Sequence, residues 1–203
     1  MNLPTEQQAL DYFKQYKVPE NIFQHCLNVR KVAVFLAKKV KEAGIDVNVE
    51  LVDRLSLLHD LFKVVAIKSV EPNKFHKHDF SEEELAMRKE LIEKYPDMYE
   101  GDVAYEIFKG GFPEFALALK NVSIPRNKNL TWEETLVHYA DYRVFQNKIV
   151  SLAERLEYLK EMYPKPEGEW EVSQEHRLEI EHNIMQILNM NPEDLAKEVE
   201  NGS

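Results

Sequence analysis

The chain has a single cysteine, Cys26, among 203 residues. No internal disulfide is available, and a reducing compartment is the expected setting. Glycine is scarce at six residues, so few backbone positions can sit cheaply at positive φ, which leans towards helix. Basic charge is not in excess: the formal net charge is −10. A broad nucleic-acid footprint is therefore not expected, because phosphate neutralisation supplies most of that affinity. A small phosphorylated substrate is not excluded, since it needs only a local positive pocket or a metal. The first residues, MNLPTEQQALDYFKQY, lack an apolar signal-peptide core. No apolar run approaches the roughly 20 residues that span a bilayer. The expectation is a cytoplasmic protein that does not engage membranes. Glycine-rich phosphate loops of the P-loop and dinucleotide kinds are missing, and no β-hairpin signal precedes the terminal Asn201-Gly202.

What the sequence does contain is helical periodicity. Hydrophobic residues make up 44% and charged residues 31%, an ordinary globular balance. Residues 5–16 read as a short helix with Thr5 as N-cap. Residues 20–43 read as the clearest helix, with Ile22, Val29, Val32, Leu36 and Val40 near a 3.6-residue spacing and Gly44 placed to end it. A helix from Asn48 to about Phe62 carries His59-Asp60 near its C-terminal end. Residues 64–80 look irregular. The pairs Ser81/Glu84, Thr131/Glu134 and Ser151/Glu154 each have capping-box spacing and open helices to about Tyr95, Gln146 and Met162. Two short helices broken at Gly110-Gly111 fill 101–121. After Pro164 and Pro166, helices are expected over 172–189 and 192–200. The aromatic residues Tyr95, Tyr99, Tyr105, Phe108, Phe112 and Phe115 are expected in the core. The fold class is all-α: a helical bundle over 1–163, with a helical extension over 164–203 packed on it. The apolar positions of 172–189 leave open a second role in pairing two subunits.

His59-Asp60 is the informative pair. An imidazole and a carboxylate that are adjacent in sequence reach one ion only where the backbone bends, and a helix end supplies the bend. That ligand mixture suits Mn, Fe, Co, Ni or Zn better than Ca. Two further polar residues fall on inward faces. His25 is in phase with Val29, Val32 and Leu36, and Asp141 lies among Val137, Ala140 and Val144. A buried carboxylate without a partner is costly, and a shared metal would satisfy both.

These residues, with the flanks VPENIFQHCLNVRKVAVFLAKKV, HDLFK, GGFPEFALALK and YADYRV, resemble the HD superfamily of metal-dependent phosphohydrolases over roughly residues 18–160. The resemblance implies one divalent metal (Mn, Co, Ni, Fe, Zn or Mg) on His25, His59, Asp60 and Asp141. It also implies hydrolysis of a small phosphorylated substrate, with nucleotides as the leading class. The metal would polarise the phosphoryl oxygen and lower the pKa of a water, and Asp60 would orient or deprotonate that water. Lys63, one turn after His59, is placed to meet a phosphate oxygen; it stands where some relatives carry an acid, so the proton donor is unassigned. Arg143, Arg30 and His78 are further substrate-binding candidates, although Arg143 could equally pair with a carboxylate. Relatives with two metals add a histidine after the first pair, for which His76 or His78 is available. They add another at a position that falls near Asn121, where there is none, so one metal is expected. The alternative is a nucleotide-binding regulatory module that keeps the metal site with little turnover. Cys26 reads as a small apolar filler and His138 as structural.

Overall fold

In the computed structural model, which describes residues 1–72, 77–124, 127, 129–164, 166 and 168–202, the helical periodicity becomes ten α-helices. They are α1 (Glu6–Gln15), α2 (Glu20–Glu42), α3 (Val49–Leu58), α4 (Glu82–Lys94), α5 (Glu100–Phe108), α6 (Pro113–Ser123), α7 (Trp132–Tyr142), α8 (Leu152–Met162), α9 (Glu169–Leu188) and α10 (Leu195–Asn201). The fold is all-α, and among the described residues the only strands form one two-stranded ribbon, β1 (Val144–Phe145) and β2 (Lys148–Ile149).

Local chemistry explains most of the boundaries. Thr5, Ser81 and Thr131 each accept a hydrogen bond from the backbone N–H three residues on, and the side-chain oxygens of Gln8, Glu84 and Glu134 accept one from the cap residue's backbone N–H. Two otherwise orphaned helix donors are satisfied at each of these ends. Ser151 likewise caps α8 by accepting from the Glu154 N–H. Gly44, at φ +93, follows the end of α2, where a residue without a Cβ enters the left-handed region without strain.

The core gathers around α2. Its inner face, Ile22, Cys26, Val29, Val32, Ala33, Leu36, Ala37 and Val40, is buried against α3 and α7. Leu55 and Leu58 of α3 and Leu136 and Val137 of α7 are fully buried in the same cluster. Each such side chain stabilises the fold by about 1.5–3 kcal/mol. The α5–α6 pair packs closely on itself, and α6 in turn meets α3 and α7. Gly101 permits that close approach: a Cβ there would overlap Ser123 Oγ and stand 2.8 Å from Ser123 Cβ. From the C-terminal segment, Trp170, Ile184, Met185, Leu195 and Val199 are buried, while Val172 and Leu178 stay exposed. Among the described residues no helix is long and apolar enough to cross a membrane.

Beyond the end of α3 at Leu58, short of the expected Phe62, the structure departs from the sequence expectations in two places. Helix α7 stops at Tyr142, not near Gln146, and the chain turns back as a hairpin pairing Val144 with Ile149 and Phe145 with Lys148. The turn holds Gln146 at φ 55. Glutamine carries no turn signature, and two-residue strands are too short to show alternation. The aromatic cluster is the second departure. Phe108 and Phe115 are buried, and Tyr95, Tyr105 and Phe112 pack half-buried against the core, but Tyr99 is 45% exposed.

Candidate metal centre

The centre forms where α2, α3 and α7 meet. His25 comes from the second turn of α2, and Asp141 from the last turn of α7. His59 caps the C-terminus of α3 in helical geometry, and the chain then tightens into i→i+3 bonds. Leu61 N–H donates to Leu58, Lys63 N–H to Asp60, and Val65 N–H to Phe62. This 3₁₀-like winding is the bend that turns two consecutive side chains towards one point.

Four ligand-type atoms converge there. His25 Nε2 lies 3.0 Å from Asp141 Oδ1 and 3.9 Å from Asp60 Oδ2. His59 Nε2 lies 3.8 Å from Asp60 Oδ2 and 3.9 Å from Asp141 Oδ1. His59 is held by its other nitrogen, since Nδ1 is 2.8 Å from the Ser56 carbonyl. A carbonyl only accepts, so Nδ1 carries the proton and Nε2 presents a lone pair. That Nε2 is buried and makes no hydrogen bond among the described residues. A buried acceptor without a donor is costly, and a cation at this point would remove the cost.

Electrostatics favour the same occupant. Burial raises the pKa of both aspartates, but the groups beside them outweigh it. Lys63 and His59 hold Asp60 below its ordinary value. His25, His59 and Arg155 hold Asp141 well below. Both carboxyls are therefore ionised and suited to bind a metal. His25, His59 and Asp60 form a cluster that could hold a metal ion, and Asp141 stands beside it. A family model, HD domain, matches residues 22–159. The chain belongs to the HD domain family. That family generally comprises metal-dependent phosphohydrolases. No curated protein and no solved structure matches this HD domain protein.

Lys63 lies beside the centre. Its Nζ is 3.4 Å from Asp60 Oδ1 and 3.0 Å from Glu100 Oε1. Burial opposes its charge, but Asp60 and Glu100 together hold the ammonium well above its ordinary pKa. The other substrate-binding candidates stand elsewhere. Arg143 is 2% exposed, and all three guanidinium nitrogens are committed. Nε donates to Val150 O, Nη1 to the Tyr139 hydroxyl and Glu181, and Nη2 to Pro192 O. Four of its five N–H donors are spent inside the fold on a nearly fully buried side chain, which makes it a structural residue. Arg30 is likewise spent, bridging Asp53 and Glu6 at 2.6 Å each and tying α2 to α3 and α1. His78 Nε2 sits 3.0 Å from Glu84, and its ring packs edge-on to Phe80 at the start of α4. His76 lies outside the described residues. Asn121 donates to Glu134 at 2.9 Å and so supports the cap of α7.

His138 faces the Val122 carbonyl and the Tyr142 ring, and burial pushes its pKa down to about 4. Burial, with Asp60 nearby, pushes the Cys26 thiol well up, which suits an inert filler.

Two residues at the centre carry no motif signal and were missed. Glu100 opens α5 at 4% exposure, and burial pushes its carboxyl up to about 7 despite Lys63. An acidic first-turn residue is common in helices, so nothing in the sequence set it apart. The other is Arg155, whose Nη2 stands 3.9 Å from Asp141 Oδ1. A signal for it exists in hindsight. Leu152, Leu156 and Leu159 place Arg155 on the apolar face of α8, where a solvated arginine does not belong.

Proposed function

We propose that this protein is a metal-dependent hydrolase of a small phosphorylated metabolite, with a nucleotide phosphoester as the leading substrate class. The observation that carries this is His59 Nε2: buried, unbonded, with its lone pair fixed by Ser56 and aimed where His25, Asp60 and Asp141 converge. His25, His59, Asp60 and Asp141 would hold a divalent ion of the Mn, Co, Ni, Fe, Zn or Mg group. Such an ion supplies Lewis acidity to a phosphoryl group and makes water a stronger acid.

The chain's own residues have distinct tasks around that ion. Asp60, ionised and 15% exposed, is positioned to hold and orient a water by accepting its proton. Lys63 presents an ammonium, a third exposed, to a phosphate oxygen. Glu100 keeps Lys63 in place and is the nearby acid that holds a proton close to neutral pH. The −10 net charge fits a small anionic substrate drawn to a local cationic site better than a polyanion.

The test is a phosphatase screen over nucleotides and simple phosphomonoesters with Mn, Co, Ni and Mg. Release of phosphate from at least one substrate is expected, and it is lost with the metal in Asp60→Ala. Full activity in that variant would refute the mechanism. The second reading is a nucleotide-binding regulatory module with little turnover. The Lys63–Glu100 pair favours it, because the lysine occupies the position next to the centre where an acid would help a leaving group. Nucleotide-induced thermal stabilisation without hydrolysis under every metal would select this reading.

A further inference from the structure

We propose that Arg155 is the residue that grips the anionic end of the ligand at this centre, in the role the sequence offered to Arg143. The proposal rests on the phosphoryl-substrate reading and names the group that recognises the phosphoryl oxygens.

Arg155 is held in an unusual state. Its side chain is only 14% exposed, yet its guanidinium makes no hydrogen bond among the described residues, and Nε is buried without a partner. Burying the Nε–H donor without an acceptor is costly, and the two Nη groups, which are not buried, have no hydrogen-bond acceptor among the described residues. Among the described residues its one oppositely charged contact is Asp141, at 3.9 Å, beyond hydrogen-bond distance. Two rings brace it instead: its Cζ lies 5.6 Å from the Phe145 ring centre and 5.4 Å from that of Tyr158. Cation–π contacts hold the plane of the group but satisfy none of its N–H donors.

The position is as informative as the lack of partners. The Asp141 oxygen next to Arg155 is the same Oδ1 that faces His25 and His59. An oxyanion seated against that cluster falls within reach of the guanidinium fork. Bidentate binding of phosphate is the geometry for which this group is best suited. Charge points the same way. A divalent ion shared by Asp60 and Asp141 would use up their negative charge, and Lys63 already has a hydrogen-bonded partner in Glu100. Arg155 would then be the cation left without a counter-charge.

The fold delivers Arg155 deliberately. The Arg143 guanidinium Nε donates to Val150 O, and Val150 N–H donates back to Arg143 O at 2.8 Å, so the base of the β1–β2 hairpin is closed from both sides. The hairpin reverses the chain, and α8, capped by Ser151, returns against α7. Arg143 thus anchors the turn that carries Arg155 to Asp141.

The test uses the full-length chain loaded with Mn²⁺, and compares wild type with Arg155→Met and Arg155→Lys. Mn²⁺ affinity is measured first, without phosphate, and then inorganic phosphate binding to the loaded protein by calorimetry. Arg155→Met is expected to weaken phosphate about ten- to a hundredfold, the range for charge-assisted hydrogen bonds, with Mn²⁺ affinity changed less than about threefold. Arg155→Lys, which keeps the charge and loses the fork, should fall between. Unchanged phosphate affinity in Arg155→Met would overturn the proposal, as would a loss of Mn²⁺ binding that accounts for the whole phosphate effect. If the Met variant does not fold, unchanged phosphate binding in the Lys variant overturns the two-pronged contact. Arg155-dependent phosphate binding by a wild type that turns over no ester supports the anion site and defeats the hydrolase reading. Turnover with KM and phosphate inhibition unchanged in Arg155→Met does the reverse.

Discussion

Replacing Arg143 by alanine should cost the protein much of its stability, because the guanidinium joins three parts of the chain. Four acceptors would lose their donor: Val150 O on the hairpin, the Tyr139 hydroxyl on α7, the Glu181 carboxylate on α9 and Pro192 O beyond it. The ion pair is buried on both sides, with side-chain exposures of 3% for Arg143 and 14% for Glu181. Removing one partner of such a pair typically costs about 3–5 kcal/mol, since the other charge stays buried. For a chain of this size each kcal/mol moves Tm by about 2–4 °C, so a fall of about 6–20 °C is expected. Thermal and urea unfolding followed by far-UV circular dichroism measure it. A double-mutant cycle with Glu181→Ala isolates the pair and should return a coupling of about 1–3 kcal/mol. A loss below about 1 kcal/mol, together with zero coupling, would show that the guanidinium is not the structural tie described here. It would then be free to meet a ligand.

Mn²⁺ at about a hundred times its Kd should stabilise the fold by about 2.7 kcal/mol, or about 5–10 °C in Tm. EDTA and His59→Ala should each abolish the shift, and a full shift in His59→Ala would exclude His59 as a ligand. His138 is buried with its pKa pushed down to about 4 from 6.5, so the folded state resists protonation there. Its contribution is complete above pH 6.5 and is lost as pH falls from 6.5 to 4, to a limit of about 3 kcal/mol. Denaturant midpoints measured across that window should fall less steeply in His138→Gln, and an equal slope would sink the assignment. Gly101→Ala should destabilise by about 1–3 kcal/mol by pushing α5 off Ser123 of α6, and should disturb Glu100 next to it. Wild-type stability in that variant would mean the helices separate without cost.

The helices could be read from the chain because their determinants are local. The apolar spacing of α2 recurs within a few residues, and the Ser81/Glu84 and Thr131/Glu134 caps span one turn each. His25, His59, Asp60 and Asp141 were legible for a related reason: each is a polar residue on a face otherwise committed to the core, and the structure brings all four together. The β1–β2 hairpin was not legible, because Gln146 adopts positive φ under tertiary restraint and not by its own preference.

The arginines show where local pattern stops. Their sequence neighbourhoods do not reveal what their long side chains meet in space. Arg143, two residues from Asp141, is claimed by partners 38 and 49 positions away. Arg30 is claimed by Glu6 and Asp53, 24 and 23 positions away. Arg155 has no motif around it, and the hairpin sets it against Asp141 with no hydrogen-bond acceptor for its guanidinium among the described residues. Sequence alone determined the helices and the inward polar residues, since periodicity and capping act over a turn or two. Tertiary structure alone decided which cations are spent on the fold and which face the centre, since a charge is settled by what it meets across the packed interior.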